Sequence, residues 1–336
     1  MKKLYTLLML IPIISFSQTQ TTTASGNFYN PLNWDCLCVP ANGDSLVINH
    51  AMIMTASIYY TAGQIKINFG GSLMEDGTNR DVWVAGGSLI NNGVFDCYRL
   101  YISAGSFVNT GTSVYFDSLW NQGSISNQGI ITAFDLLNDQ TGSFNNGTGA
   151  KLVLDHDFMN QGYFFNNGII DVSNDFSNCN IQTMDALFYN HGTFCIGADM
   201  INCIDDTLSG TGEYFIGGSS ANAGVFDGSF TFNTPSGTVG VPGNIQPGVT
   251  IGNQPCFLSV VENELSLNLF PNPANNLLNI TASNFNYKII DLSGKIIQSD
   301  SNVSNQINIE SLNVGIYFIE IKESNGIQST LKFVKK

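Results

Sequence analysis

The stretch Gly87–Gly111, "GSLINNGVFDCYRLYISAGSFVNTG", decides the fold because it ends by repeating its own opening. Gly87-Ser88-Leu89 returns as Gly105-Ser106-Phe107, and Asn91-Asn92-Gly93 returns as Asn109-Thr110-Gly111, each 18 residues on. Outward from there, the Gly-led phrase recurs at Gly71, Gly123, Gly142, Gly162, Gly192, Gly212 and Gly228, in steps of 16 to 30 residues. An Asn-x-Gly phrase recurs at Asn121, Asn127, Asn145, Asn160, Asn166 and Asn190. A period near 18–20 is too short for a helix pair or a propeller blade. It fits one coil of a right-handed parallel β-helix, with short strands joined by Asn- and Gly-rich corners where a left-handed backbone is tolerated. Stacking sets each position about 4.8 Å above its predecessor. Phe107, Phe144, Phe164 and Phe194 are then expected to form an internal ladder, and Asn109, Asn127 and Asn166 to bond along a corner. The step of 30 after Gly162 reads as a missing or padded repeat.

Composition agrees. The chain of 336 residues is poor in charge (11%) and rich in Gly, with Phe and Tyr as its commonest bulky rings. That mixture disfavours helices and suits pleated strands. Between Gln18 and Leu258 there are 19 acidic and four basic residues, Lys66, Arg80, Arg99 and Lys151. Such a body has no means of displacing counterions from a phosphate backbone, which excludes nucleic acid as a partner. Seven cysteines (Cys36, Cys38, Cys97, Cys179, Cys195, Cys203 and Cys256) leave one odd, and suit disulfides or buried thiols better than a zinc knuckle.

The N-terminus, "MKKLYTLLMLIPIISFSQ", has a basic start, an apolar run and a small-x-small end at Ser15-Phe16-Ser17. Residues 1–17 read as a secretory signal peptide, and no later apolar run is long enough to span a bilayer. Ser25–His50 resembles the opening cap of many secreted bacterial β-helix proteins, carried by Gly26, Phe28, Pro31, Trp34, Val39, Pro40, Gly43 and Asp44. The resemblance implies that Trp34 lids the stack and that Gly43-Asp44 turns into a first strand at Ser45–Ile48.

The passenger is expected to span 18–258, with its cap at 25–50. After a linker at 259–264 the grammar changes. The tail, 265–336, shows about seven short apolar strands, which predicts a small Ig-like antiparallel sandwich. It carries Pro271-Asn272-Pro273, then Asp291-Leu292-Ser293-Gly294-Lys295, then Gly315, Ile316 and Tyr317, and ends in Lys332, Lys335 and Lys336. In order and spacing it resembles the type A C-terminal sorting domain of Bacteroidetes type IX secretion cargo. That resemblance implies recognition by the outer-membrane translocon and a sortase through Pro271, Asn272, Pro273, Asp291, Gly294, Lys295, Gly315, Tyr317 and Lys335. It also implies removal of the tail at the surface, and a passenger released or linked to anionic lipopolysaccharide. Asp-Ser-Leu at Ser45 and Ser118, and Asp-Thr-Leu at Thr207, resemble the Bacteroidetes O-glycosylation site.

Chemistry is sparse. No nucleophile elbow, phosphate loop or zinc-protease motif occurs, so no catalytic residue and no cofactor are assigned. Asp155, Asp157, Asp205 and Asp206 are weak candidates for calcium or for a glycosidase carboxylate pair. Placed in a strand, Asp155 and Asp157 would share one face and His156 the other. Trp83, Trp120, Tyr98 and Tyr101 read first as core-packing residues and second as flat surfaces that could stack on sugar rings. The sequence thus favours a surface adhesin, glycan binder or structural protein over its alternative, a polysaccharide lyase or glycoside hydrolase.

Overall fold

In each repeat the chain alternates inward and outward residues over three or four positions, turns, and does so twice more. In Ser106–Asn109, Phe107 and Asn109 point in while Ser106 and Val108 point out. Three such strands make a coil, and about ten coils stack into a three-sided parallel β-solenoid, a single 30-stranded sheet. Val94–Asp96 and Arg99–Ile102 form the second and third sides of the coil opened by Ser88–Asn91. The computed structural model describes residues 19–111, 113–180, 185–256, 269–280, 285–291, 295–303, 305–323 and 328–336. The signal segment 1–17, the linker 259–264 and Gly294 lie outside the described residues.

On the first side the inward column runs Leu89, Phe107, Ile125, Phe144, Phe164, Phe188. Its rings stack at 4.6 Å (Phe144–Phe164) and 5.0 Å (Phe164–Phe188). Phe194 does not belong to this ladder. It stands on the second side, between Ile170 and Tyr214, and Phe188 fills the expected place. The cause is that two different corners write the same phrase: Gly162 precedes the first-side strand Tyr163–Asn166, whereas Gly192 precedes the second-side strand Thr193–Ile196. The step of 30 therefore counts across two corners and marks no missing repeat. Coils also vary more than 18–20, from 17 residues (Asn121 to Asn138) to 24 (Asn166 to Asn190).

Two asparagine ladders close two of the corners. Asn91, Asn109, Asn127, Asn146, Asn166 and Asn190 pass one side-chain hydrogen bond from each Nδ2 to the next Oδ1, at 2.7–2.9 Å. Asn121, Asn138, Asn160, Asn178, Asn202 and Asn222 repeat the scheme at 2.7–2.8 Å. All twelve are fully buried, and a carboxamide supplies both the acceptor and the donors that such a buried row requires. Asn145, placed in the Asn-x-Gly set by its spacing, points outward, and its neighbour Asn146 holds the ladder position. The Asn-x-Gly phrase has a local reason too. Asn109 Oδ1 accepts the N–H of Gly111 at 3.2 Å, closing an Asx-turn, and a Cβ on Gly111 would meet Asn91 Nδ2 at 2.5 Å.

At the N-terminal end of the stack a short segment packs around one indole. Trp34 is fully buried, its Nε1 donates to Phe28 O at 2.8 Å, and its ring meets Phe28 edge-on. Ser45–Ile48 is not the first strand, however. Thr19–Thr21 already pairs with it in parallel and adds one more rung.

The tail forms two small antiparallel sheets, of three and four strands, over its own core of Leu278, Ile289, Ile307, Ile319 and Phe333 among others.

Candidate functional site

On a strand, a residue and its second neighbour face the same way. The third side of the solenoid therefore presents two outward columns, and both carry chemistry. The first column is aromatic: Tyr59, Trp83, Tyr101 and Trp120 lie in register on four successive coils. Tyr59 is 59% exposed, Trp83 37% and Trp120 39%. Trp83 and Tyr101 stack at 4.0 Å, and Tyr101 meets Trp120 at 5.7 Å. The column continues as Leu137, Met159, Ser177 and Ile201. At its rim Asp139 Oδ2 accepts from Trp120 Nε1 at 3.2 Å and from Gln122 Nε2 at 2.8 Å, fixing the indole at its polar end. The sequence names three of these rings but favours core packing for them, whereas Trp83 and Trp120 face solvent, and it gives no sign of Tyr59. Tyr98 is set apart at a corner, where the Arg99 guanidinium lies 5.2 Å above it and 5.7 Å from Tyr101.

The second column is polar. It begins Asp81, Arg99, Ser118, Asp135, with Arg99 bidentate on Asp81 at 3.1 Å. It continues as Asp157, Asp175 and Asp199, the residues that lead into the next strands. Each carboxylate Oδ1 accepts the backbone N–H of the corresponding residue one coil on: Asp135 from Asp157 (3.1 Å), Asp157 from Asp175 (3.2 Å), Asp175 from Asp199 (2.9 Å) and Asp199 from Ser219 (2.6 Å). A groove of about 420 Å³ runs along this lower half, with Met159 and Ile201 beside Asp157, Asp175 and Asp199.

The acidic candidates separate. Asp155-His156-Asp157 turn a corner instead of lying in a strand, so His156 and Asp157 come to the same side, contrary to strand alternation. His156 Nδ1 is 2.9 Å from Asp135 Oδ1 and 3.4 Å from Asp157 Oδ2, and its ring stacks on Phe134 at 4.8 Å. The hydrogen bond to Asp135, with the charges of Asp157, Asp135 and Asp175, raises the imidazole pKa. Asp135, His156 and Asp157 could hold a cation among them, whereas Asp155 stands outside the group. Asp205 and Asp206 do not form a pair either. Asp206 is buried, accepts the N–H groups of Asn180 and Ala186, and has its pKa raised by burial, so its oxygens serve the backbone. Cys36–Cys38, Cys179–Cys203 and Cys195–Cys256 are disulfides, and Cys97 is a buried thiol.

Ser45 and Thr207 each begin a strand and Ser118 lies within Ser113–Asn121, all three partly exposed; the aspartate before Thr207 is the buried Asp206, and Asp44, before Ser45, accepts the N–H of Ala41. In the tail, Asn272 clamps the last strand, donating to Lys332 O and accepting from Val334 N–H. Lys295 N–H donates to Asp291 Oδ1 across a hairpin end. Tyr317 is buried, bonds Asn313 O and stacks on Phe333. Gly315 pairs with Lys335, which is buried and not solvated, its Nζ donating to Lys336 O. Pro271 and Pro273 flank Asn272 beside the terminal strand.

Residues 268–336 match the family model for the secretion system C-terminal sorting domain. The match covers the tail alone; a sorting domain of this kind supports type IX secretion cargo and implies export across the outer membrane, to the cell surface or the extracellular space. No curated protein matches the chain. Among solved structures it is similar to PorZ, an essential surface component of the type IX secretion system of Porphyromonas gingivalis, at 15% identity and a TM-score of 0.20. That likeness covers 26% of this chain and only 13% of PorZ, and it bears on neither fold nor function here. Among the described residues no helix is long and apolar enough to cross a membrane.

Proposed function

We propose that the solenoid is a glycan-binding passenger, an adhesin-like protein that uses its third side at or beyond the cell surface. The observation that carries this reading is the four-coil aromatic column Tyr59, Trp83, Tyr101, Trp120, exposed at Tyr59, Trp83 and Trp120, half-buried at Tyr101, and edged by Asp139 and Gln122. Flat apolar rings with a few placed polar groups suit the faces and hydroxyls of pyranoses. The tail is read by the translocon and a sortase, and the passenger is released or joined to anionic lipopolysaccharide. Calcium and sugar at Ser45, Ser118 or Thr207 are secondary proposals.

A glycosidase needs two carboxylates facing each other across a sugar. The third-side carboxylates instead stand in one column, Asp81 held by Arg99 and those from Asp135 to Asp199 each bonded to the backbone of the next coil, which favours binding over hydrolysis. The test mixes the mature full chain with a panel of soluble polysaccharides and follows both components by size-exclusion chromatography. Co-elution with an unshortened polymer is expected, and it should be lost in Trp83→Ala/Trp120→Ala. Shortening of a polymer would overturn the reading in favour of an enzyme.

A further inference from the structure

Resting on the glycan-binding reading, the geometry points to a ligand class: we infer a linear polysaccharide bearing protonated amines, of the glucosamine type, laid along the solenoid axis. The two columns of the third side run parallel to that axis, and the ring-bearing rungs, Tyr59 to Trp120, are followed along it by the carboxylate rungs, Asp135 to Asp199, so a chain stacked on the rings runs on to the carboxylates. From Asp135 to Asp199 the acidic groups succeed one another coil by coil, about 4.8 Å apart. Like charges at that distance repel appreciably even near a protein surface. Their own Oδ1 atoms are committed to backbone N–H groups, which holds the row in place.

Among the described residues, the cations near this row are Arg99, already paired with Asp81, and His156, shared by Asp135 and Asp157. Neither Asp175 nor Asp199 has an ion-pair partner among them. The groove beside them has an apolar edge at Met159 and Ile201, in line with Trp120 above. A polymer long enough to pass from the rings to the carboxylates, with apolar ring faces and ammonium groups, meets both stretches. A uronic acid polymer would bring its charge against this row, and a neutral polymer would leave the row uncompensated.

The experiment is isothermal titration of the mature full chain with three hexamers: glucosamine, N-acetylglucosamine and glucose, all β-1,4-linked, at mildly acidic pH and low salt. The glucosamine hexamer is expected to bind about tenfold tighter than the other two, as three exposed charge contacts warrant. The advantage should vanish at about 0.5 M salt, where screening is nearly complete. Asp157→Asn/Asp175→Asn/Asp199→Asn should bring the glucosamine hexamer's affinity down to that of the acetylated hexamer; Asn keeps the Oδ1 acceptor, so the corner is preserved. Equal binding of all three hexamers, lost in Trp83→Ala/Trp120→Ala, would overturn the amine inference and leave glycan binding standing. Binding of glucosamine alone that is indifferent to the tryptophans would reduce the effect to bulk charge and overturn the inference. No binding by any hexamer would sink both readings.

Discussion

Asn145 and Asn146 are adjacent, chemically identical and oppositely directed, so alanine substitutions at the two isolate what a ladder asparagine contributes. Asn146 Oδ1 accepts from Asn127 Nδ2 at 2.8 Å, and its Nδ2 donates to Asn166 Oδ1 at 2.8 Å and to Ile169 O at 3.1 Å. Asn146→Ala deletes three buried hydrogen bonds. The neighbours are not left bare, since Asn127 Nδ2 keeps Lys151 O and Asn166 Oδ1 keeps the N–H of Gly168. The loss is therefore nearer the net value of three bonds, about 1 kcal/mol each, than the full desolvation penalty of three orphans. With the small cavity left behind, about 3–4 kcal/mol is expected. Asn145→Ala, on the solvent side, should stay within about 0.5 kcal/mol of the parent. All three tryptophans, Trp34, Trp83 and Trp120, lie in the solenoid, so fluorescence in a urea titration reports its unfolding without interference from the tail. Equal midpoints for the two variants would refute the claim that the buried ladder holds the corner.

Three further outcomes are expected. Trp34→Ala removes the lid ring and its bond to Phe28 O, and should cost about 3–5 kcal/mol in the same titration, followed through the remaining tryptophans. In the unreduced protein, iodoacetamide should label nothing until urea exposes Cys97, then one site only by mass spectrometry. The His156 imidazole should titrate by NMR above its ordinary 6.5, and Asp135→Asn should bring it back down; because the pKa is raised in the fold, this contact stabilises the protein at low pH and fades as pH rises through the raised value.

Much of this fold was legible in the sequence because a solenoid writes its inside directly into residue type. Phe107, Phe144, Phe164, Asn109, Asn127 and Asn166 occupy the positions that alternation and recurrence assign them. The reading failed where two corners share one phrase, which sent Phe194 to the wrong side, and the Asn-x-Gly phrase at Asn145 does not single out its neighbour Asn146 as the ladder residue. It failed again at Asp155–Asp157, because a corner abandons the alternation that a strand obeys. The acidic column was the least legible part. Its members are 22, 18 and 24 residues apart, so only the pairing register, and no fixed period, brings Asp135, Asp157, Asp175 and Asp199 into line.

That contrast bears on where function resides. The inward positions answer to the stack: a ring to fill a layer, an asparagine to satisfy a corner, a glycine where the coil before comes too close. Outward positions answer to nothing of the kind, and on the first side Ser88, Ser106, Ser124 and Ser143 show what the fold accepts when it is indifferent. On the third side the same kind of position holds Tyr59, Trp83, Tyr101 and Trp120. An aromatic side chain can bury roughly 150–250 Å². Much of that area is left in water here, and a contiguous exposed patch of this sort marks an interaction site more often than a packing need. Since small polar residues would serve the coil equally well, the presence of rings on four consecutive rungs is best explained by a flat, apolar-faced partner that covers them.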